Sequence, residues 1–248
     1  MLKTILDPIS EIVCFIGKRG VGKSTLMAHF VDEYLKTQAV QRWELSEKII
    51  REENARRKKP LSFPNAPPIY SNTKYNLKTR AGIKIEPITI TGKEIGVTIN
   101  DEEYKDLFPA PLIVLDEAEN EFVSKGEHLP KGQLKFLMQC RHYRVLMLLA
   151  APRAVFIHKD IRASGVRVIE PQRFVNEYDA FNRICKTTWY CREFRDTSAL
   201  EEYIATDGKS GAYIETTYTH NGNVRELVDS FEYERDFFPK EGKDFETQ

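Results

Sequence analysis

Gly17-Lys18-Arg19-Gly20-Val21-Gly22-Lys23-Ser24 sets a lysine and a hydroxyl directly behind a glycine, at the spacing G-x-x-x-x-G-K-S. That pattern suits one kind of chemistry, the gripping of a phosphate chain. Gly17 and Gly22 permit backbone angles and close approaches that a side chain would block, so successive amides can face an anion. Lys23 supplies a point charge for the β- and γ-phosphates, and the Ser24 hydroxyl is suited to hold a magnesium ion. The loop follows an apolar run, Ile12-Val13-Cys14-Phe15-Ile16, and precedes a helix-forming run that opens at Thr25. Strand, loop and helix therefore stand in the order the motif needs, with a helix N-terminus aimed at the ligand. Residues 17–25 are expected to hold a nucleoside triphosphate; the alternative is a glycine-rich turn without a ligand.

A second constellation completes the chemistry. Leu112-Ile113-Val114-Leu115-Asp116-Glu117-Ala118 is an apolar strand ending in two carboxylates. A central strand of a parallel sheet would deliver Asp116 to the sheet's C-terminal edge, beside the phosphate loop. There Asp116 can hold magnesium through water, and Glu117 can orient or deprotonate an attacking water. A glutamate directly after the aspartate favours hydrolysis over transfer. Two adjacent anions also raise each other's pKa unless a cation intervenes, and magnesium would supply it.

The elements that must position these residues alternate along the chain. Residues 25–37 read as a helix, and residues 42–59 as a second, strongly charged one with opposite charges three and four apart. Prolines 60, 64, 67 and 68 precede a short strand, Ile69-Tyr70-Ser71-Asn72. Two alternating runs in residues 82–100 suggest an inserted β-hairpin. Further strands are expected at 112–115, 145–150 and 165–169, with a helix at 134–143. Strands and helices alternating around a phosphate loop imply an α/β fold with a mainly parallel, doubly wound sheet. Residues 1–170 form the expected nucleotide domain, and residues 171–248 a small β-rich appendage packed on it.

At 248 residues the chain is long enough for one substantial core. Its 37 basic and 37 acidic residues balance, so any contact with nucleic acid must come from a local patch. Cys14, Cys140, Cys185 and Cys191 are too few and too irregular for a disulfide framework, and the Cys185/Cys191 pair has no second pair to complete a zinc site. Asp7, Pro8 and Glu11 interrupt the N-terminus before a signal-peptide core could form, and no apolar stretch is long enough to span a bilayer. The expected location is the cytoplasm or the cytoplasmic face of a membrane.

In this order the motifs resemble those of the Zot-like ATPases, the zonular occludens toxin domain also found in filamentous-phage assembly proteins, within the FtsK and HerA branch of P-loop motors. The stations are residues 17–24, Ile69-Tyr70-Ser71-Asn72, Ile113-Val114-Leu115-Asp116-Glu117-Ala118, Cys140-Arg141-His142-Tyr143 and Ile157-His158-Lys159-Asp160-Ile161-Arg162. They cover roughly residues 10–170. The resemblance implies a P-loop NTPase using ATP and magnesium, assembled as a homo-oligomeric ring. It also implies work in DNA handling, export, packaging or virion assembly, with phage or membrane-associated assembly proteins and DNA as candidate partners. Arg141, Arg144 and Arg162 are candidates for a finger reaching a neighbouring subunit's γ-phosphate, because the guanidinium is always charged and its fork fits phosphate oxygens. Each is equally suited to a surface ion pair. Two departures stand out. Where the family strand ends in Thr-Gln, this chain has Ala151-Pro152, and the transmembrane helix common after the ATPase domain has no counterpart here. A nucleotide-controlled switch or scaffold with slow hydrolysis is therefore the competing expectation.

Overall fold

The computed structural model describes residues 11–39, 48, 50–60, 69–78, 84–85, 88–89, 112–122, 129–140, 145–195 and 197–228. An eight-stranded sheet forms the centre, in the order β10-β9-β8-β1-β7-β6-β2-β5. Its strands are β1 (Glu11–Ile16), β2 (Ile69–Ser71), β5 (Ile88–Thr89), β6 (Leu112–Leu115), β7 (Leu146–Ala151), β8 (Arg167–Tyr178), β9 (Ile184–Phe194) and β10 (Ile214–Asn221). From β5 to β8 every neighbouring pair is parallel; β9 then pairs antiparallel with both β8 and β10.

Strand periodicity divides the core into two layers. Val13 and Phe15 of β1 join a cluster with Leu26, Phe30 and Val31 of α1 (Lys23–Tyr34). Ile12, Cys14 and Ile16 point the other way, into a cluster with Phe136, Ile161 and Leu200. Those three residues come from α3 (Lys131–Gln139), α4 (Lys159–Ala163) and α5 (Thr197–Ala205), while α2 (Ala118–Glu121) follows β6. Alternating side chains buried on both faces require helices on both, so the sheet is doubly wound as expected. Burial also pushes the Cys14 thiol up to about 12, so it acts as a small core hydrophobe.

The C-terminal part differs from the expected appendage in its connection. The boundary at 170/171 falls inside β8, which runs unbroken from the parallel sheet into an antiparallel arm with β9 and β10. A bidentate pair locks this arm to the sheet. Arg167 of β8 donates from Nε to Glu193 Oε1 at 2.9 Å and from Nη2 to Glu193 Oε2 at 3.3 Å, and the Tyr218 hydroxyl of β10 donates to the same carboxylate at 2.9 Å. Burial alone would raise Glu193, but the bond from Arg195 and the charge of Arg167 outweigh it and hold the carboxyl low. A fully buried carboxylate is tolerated because it is paired on both oxygens.

Part of the first alternating run forms an antiparallel pair with a segment just before it. Lys84–Ile85 (β4) pairs with Leu77–Lys78 (β3), and Ile88–Thr89 joins the main sheet in parallel with β2. Alternation marks residues as strand without naming their partner. The expected second run at 96–100 lies outside the described residues. So do residues 42–47 and 49 of the charged 42–59 helix; residues 48 and 50–54 are helical, and the helix ends there, with 55–59 in turn and bend.

Candidate nucleotide site

The phosphate loop sits between the end of β1 and the start of α1, at the C-terminal edge of the parallel strands. Gly17, Gly20 and Gly22 hold φ values of +137°, +83° and +85°. Gly22 is also the N-cap of α1; no side chain caps that helix, and no acid stands in its first turn. The unsatisfied amides of the first turn therefore face the loop hollow, as an anion site needs. Lys23 folds back across this hollow and donates to Gly17 O at 2.7 Å and Lys18 O at 3.0 Å. Its ammonium lies where it can exchange carbonyls for phosphate oxygens. Burial lowers the Lys23 pKa, countered by the charges of Asp116 and Glu119.

The two motif halves meet in one hydrogen bond. The Ser24 hydroxyl donates to Asp116 Oδ2 at 2.8 Å, across 92 positions of sequence. Strand order makes this contact: β7 alone separates β1 from β6, so both strand ends open on one crevice. Asn72, at the end of β2, braces the aspartate. Its Oδ1 accepts from Asp116 N at 2.9 Å, and its Nδ2 donates to Asp116 O at 2.8 Å and to Glu121 Oε1 at 3.0 Å. Both polar ends of Asn72 are thus spent on backbone and a neighbouring carboxylate, which makes it a positioning residue.

Glu117 follows with φ 49° and ψ 49°, a left-handed conformation at a non-glycine residue. Such backbone costs about 1–3 kcal/mol and persists where its surroundings impose it. Here Asp116 Oδ1 accepts from Glu117 N at 3.0 Å, and Asn120 Nδ2 donates to Glu117 Oε2 at 3.2 Å. The carboxylate is exposed at the mouth of a cavity of about 620 Å³.

That cavity collects most of the expected residues. Arg19, Gly20, Gly22, Lys23, Ser24 and Thr25 line it from the loop, and Asp116 and Glu117 from the end of β6. The Thr25 hydroxyl is turned back to Gly22 O at 3.0 Å. Gly17, Lys18 and Val21 shape the loop without lining the cavity; the first two lend their carbonyls to Lys23. Glu119 lines the cavity too and was not anticipated. Burial raises its pKa, its own backbone opposes that, and Glu117 and Asp116 add to it. It stands in the first turn of α2, and a further acid close behind Asp116-Glu117 is the signal that could have found it.

Arg162 is not brought to the cavity. It stands on α4, donating from Nε to Glu201 Oε1 at 2.7 Å and from Nη1 to Ile157 O at 2.6 Å. The Ile157 to Arg162 station caps and packs this short helix, with His158 Nδ1 accepting from Asp160 N at 3.2 Å. Arg141, His142, Tyr143 and Arg144 lie outside the described residues. At the end of β7, Ala150, Ala151 and Pro152 line the cavity, as the departure from Thr-Gln implied, and present no hydrogen-bonding side chain. Cys185 is exposed while Cys191 is buried, with its thiol pushed up to about 12, so they do not form a ligand pair.

Among the described residues no group of three or more His, Cys, Asp and Glu is placed to hold a metal alone. Magnesium bound with phosphates needs only one or two carboxylates, so Ser24 and Asp116 fit it. No helix among the described residues is long and apolar enough to cross a membrane.

Among solved structures, the N-terminal domain of zonular occludens toxin from Neisseria meningitidis matches with a TM-score of 0.50 at 13% identity, over 88% of this chain and 99% of that one. The genome packaging NTPase of Sulfolobus turreted icosahedral virus 2, in complex with ATP-gammaS, matches with a TM-score of 0.40 at 12% identity, over 88% and 100%. No family model matches the chain, and no curated protein matches it in sequence. At such identities the likeness is one of fold: this chain has the P-loop NTPase fold of the zonular occludens toxin domain.

Proposed function

We propose that the protein binds ATP with magnesium and hydrolyses it, in the service of DNA handling, export, packaging or virion assembly. The observation that carries this reading is the Ser24 to Asp116 bond, which joins the phosphate loop and the carboxylate pair at one crevice. Lys23 and the loop amides hold the phosphates, and Ser24 and Asp116 hold the cation. Magnesium supplies charge neutralisation on the phosphate oxygens. Glu117, held by Asn120 at the cavity mouth, takes the proton of the attacking water. The likeness of fold to a zonular occludens toxin domain supports a phage or phage-like setting. A ring of identical subunits, an arginine supplied in trans, partners in phage or membrane-associated assembly and a place at the cytoplasmic face belong to the same reading.

One observation favours a second reading, the nucleotide-controlled switch. The end of β7 lies between the loop and Asp116 and offers only Ala150, Ala151 and Pro152 to the ligand. This strand end supplies no polar side chain of the kind through which the FtsK and HerA branch would couple hydrolysis to movement, which supports the switch. Phosphate release and nucleotide affinity in Lys23→Ala and Glu117→Gln decide between them. Lys23→Ala should lose about 3 kcal/mol of nucleotide binding with the fold intact, and Glu117→Gln should keep ATP and magnesium while losing turnover. A Glu117→Gln variant as active as the parent would sink Glu117 as the base and leave the switch.

A further inference from the structure

The cavity does not end at the phosphate loop. It continues along the antiparallel arm, lined by Phe174, Asn176 and Thr187 of β8 and β9 and by Val224 and Arg225 of a 3-10 turn (Val224–Leu227). No motif in the sequence assigns a role to this half. Strands β8 and β9 pair Phe174 with Trp189 and Asn176 with Thr187, and the two-residue period puts both pairs on one face. Their neighbours Val175 and Tyr190 are exposed on the other.

This inner face is fixed against the loop. Trp189 is fully buried and stacks on His29 of α1, with ring centroids 5.6 Å apart. Its Nε1 has no hydrogen-bond partner and lies 2.9 Å from where a Cβ on Gly22 would stand. Strand order then gives the ligand a direction. The carboxylates come from β6, on one side of β1, and the arm grows from β8, on the other. If the terminal phosphate lies beside Asp116 and Glu117, the nucleoside end extends toward the arm; the inference rests on the hydrolytic reading to that extent.

Asn176 meets it there with a defined amide. The buried Thr187 hydroxyl donates to Asn176 Oδ1 at 2.9 Å, which fixes the oxygen end of the carboxamide and leaves the Nδ2 hydrogens and one Oδ1 lone pair for a ligand. A donor beside an acceptor complements adenine, which sets a ring nitrogen acceptor next to an amino group. On the same N7 edge guanine sets two acceptors, N7 and O6, side by side, and one would face Oδ1; its N1–H and O6 edge does pair a donor with an acceptor, so the selection requires that the base meet Asn176 with its N7 edge. Phe174 adds an aromatic ring to this lining, and Arg225 an exposed guanidinium. We propose that the arm is the nucleoside subsite, where Asn176, oriented by Thr187, selects adenine over guanine while Phe174 and Arg225 line the space it enters.

Calorimetric titration of ATP, GTP and inorganic tripolyphosphate, each with magnesium, tests this in the parent, Asn176→Ala and Thr187→Val. The parent should prefer ATP over GTP by about tenfold or more, the scale on which a bidentate amide discriminates. Asn176→Ala should bring the two within about twofold while tripolyphosphate binds as before, and Thr187→Val, which frees the amide to turn, should fall between. If thermal melts show that Asn176→Ala does not fold, Asn176→Thr, which suits a strand and lacks the paired donor and acceptor, carries the same expectation. A preference retained in these variants, or a parent indifferent to the base, overturns the nucleoside assignment and leaves the phosphate site standing. A parent that binds none of the three ligands overturns both.

Discussion

Gly20 and Gly22 hold nearly the same left-handed backbone, φ +83° and +85°, in different surroundings. A Cβ on Gly20 meets nothing within 4 Å, whereas one on Gly22 would stand 2.9 Å from Trp189 Nε1, 3.1 Å from Phe174 Cδ1 and 3.3 Å from Thr25 Oγ1. Alanine at each position therefore separates conformational cost from packing cost. Left-handed backbone costs an L-residue about 1–2 kcal/mol, and a narrower unfolded ensemble returns about 0.4–1 kcal/mol. Gly20→Ala should lose about 1 kcal/mol. Gly22→Ala carries the same cost plus overpacking of about 1–3 kcal/mol, because the atoms it meets belong to a buried indole and not to a flexible tip. At about 2–4 °C per kcal/mol for a chain of this size, a central 2 kcal/mol puts Gly22→Ala roughly 4–8 °C below Gly20→Ala. Paired thermal melts by far-ultraviolet circular dichroism read the difference, and near-ultraviolet spectra read the Trp189 environment, which only Gly22→Ala should disturb. Equal melting temperatures with unchanged Trp189 signals would refute the packing of the arm on the phosphate loop.

Glu117→Gly should raise stability by up to about 1 kcal/mol in urea unfolding, since glycine relieves the left-handed strain, while abolishing phosphate release; a loss of stability would show that Glu117 is not strained. Burial, with the charges of His220 and Lys36, pushes His29 down from 6.5 to about 3, so the ring is neutral in the folded protein. Its folded pKa lies below its unfolded one, so this contribution is complete above pH 6.5 and is lost as pH falls toward 3, by about 1.4 kcal/mol per pH unit. Unfolding measured at pH 7 and 5.5 should show that loss, and a His29→Gln, His220→Gln double variant should flatten it; an unchanged slope in the double variant would sink the assignment.

The phosphate-loop and carboxylate half of the candidate site was legible because its determinants are local. Six residues of β1, a glycine-spaced loop and a helix start are contiguous, and four apolar residues running into Asp116-Glu117 announce both a buried strand and its polar end. Parallel order followed from alternation of strands and helices. The arm was not legible for the opposite reason. Whether residues 171–228 pack on the sheet or extend it depends on which strand β8 pairs with, and pairing is a property of two distant segments. The same limit hid Asn176, Thr187 and Arg225, which meet the cavity only after β9 and β10 fold back. Arg162 shows the same limit: its type and place suited a finger or a surface ion pair, and the pairing with Glu201, 39 positions away, could not be read from the sequence.

The strand between the two motif halves contributes no polar side chain to the ligand, and this shifts weight to the other side of β1. Whatever the loop feels on gaining or losing a phosphate passes first to α1, whose N-cap is Gly22. That helix is tied to the arm along its length. Trp189 stacks on His29, His29 Nδ1 lies 3.3 Å from His220 Nδ1, the Phe30 and Tyr218 rings are 5.0 Å apart, and His220 lies 3.9 Å from Asp32. Against β7, by contrast, α1 makes only apolar packing through residues such as Leu148 and Ala150. Aromatic and polar contacts thus make a contiguous route from the loop through α1 into β9 and β10. Contiguity supplies a route and not a coupling energy. The coupling is read by the nucleotide affinity of His220→Gln, which loosens the arm from α1 at a residue outside the cavity lining; an affinity equal to the parent's would refute the route.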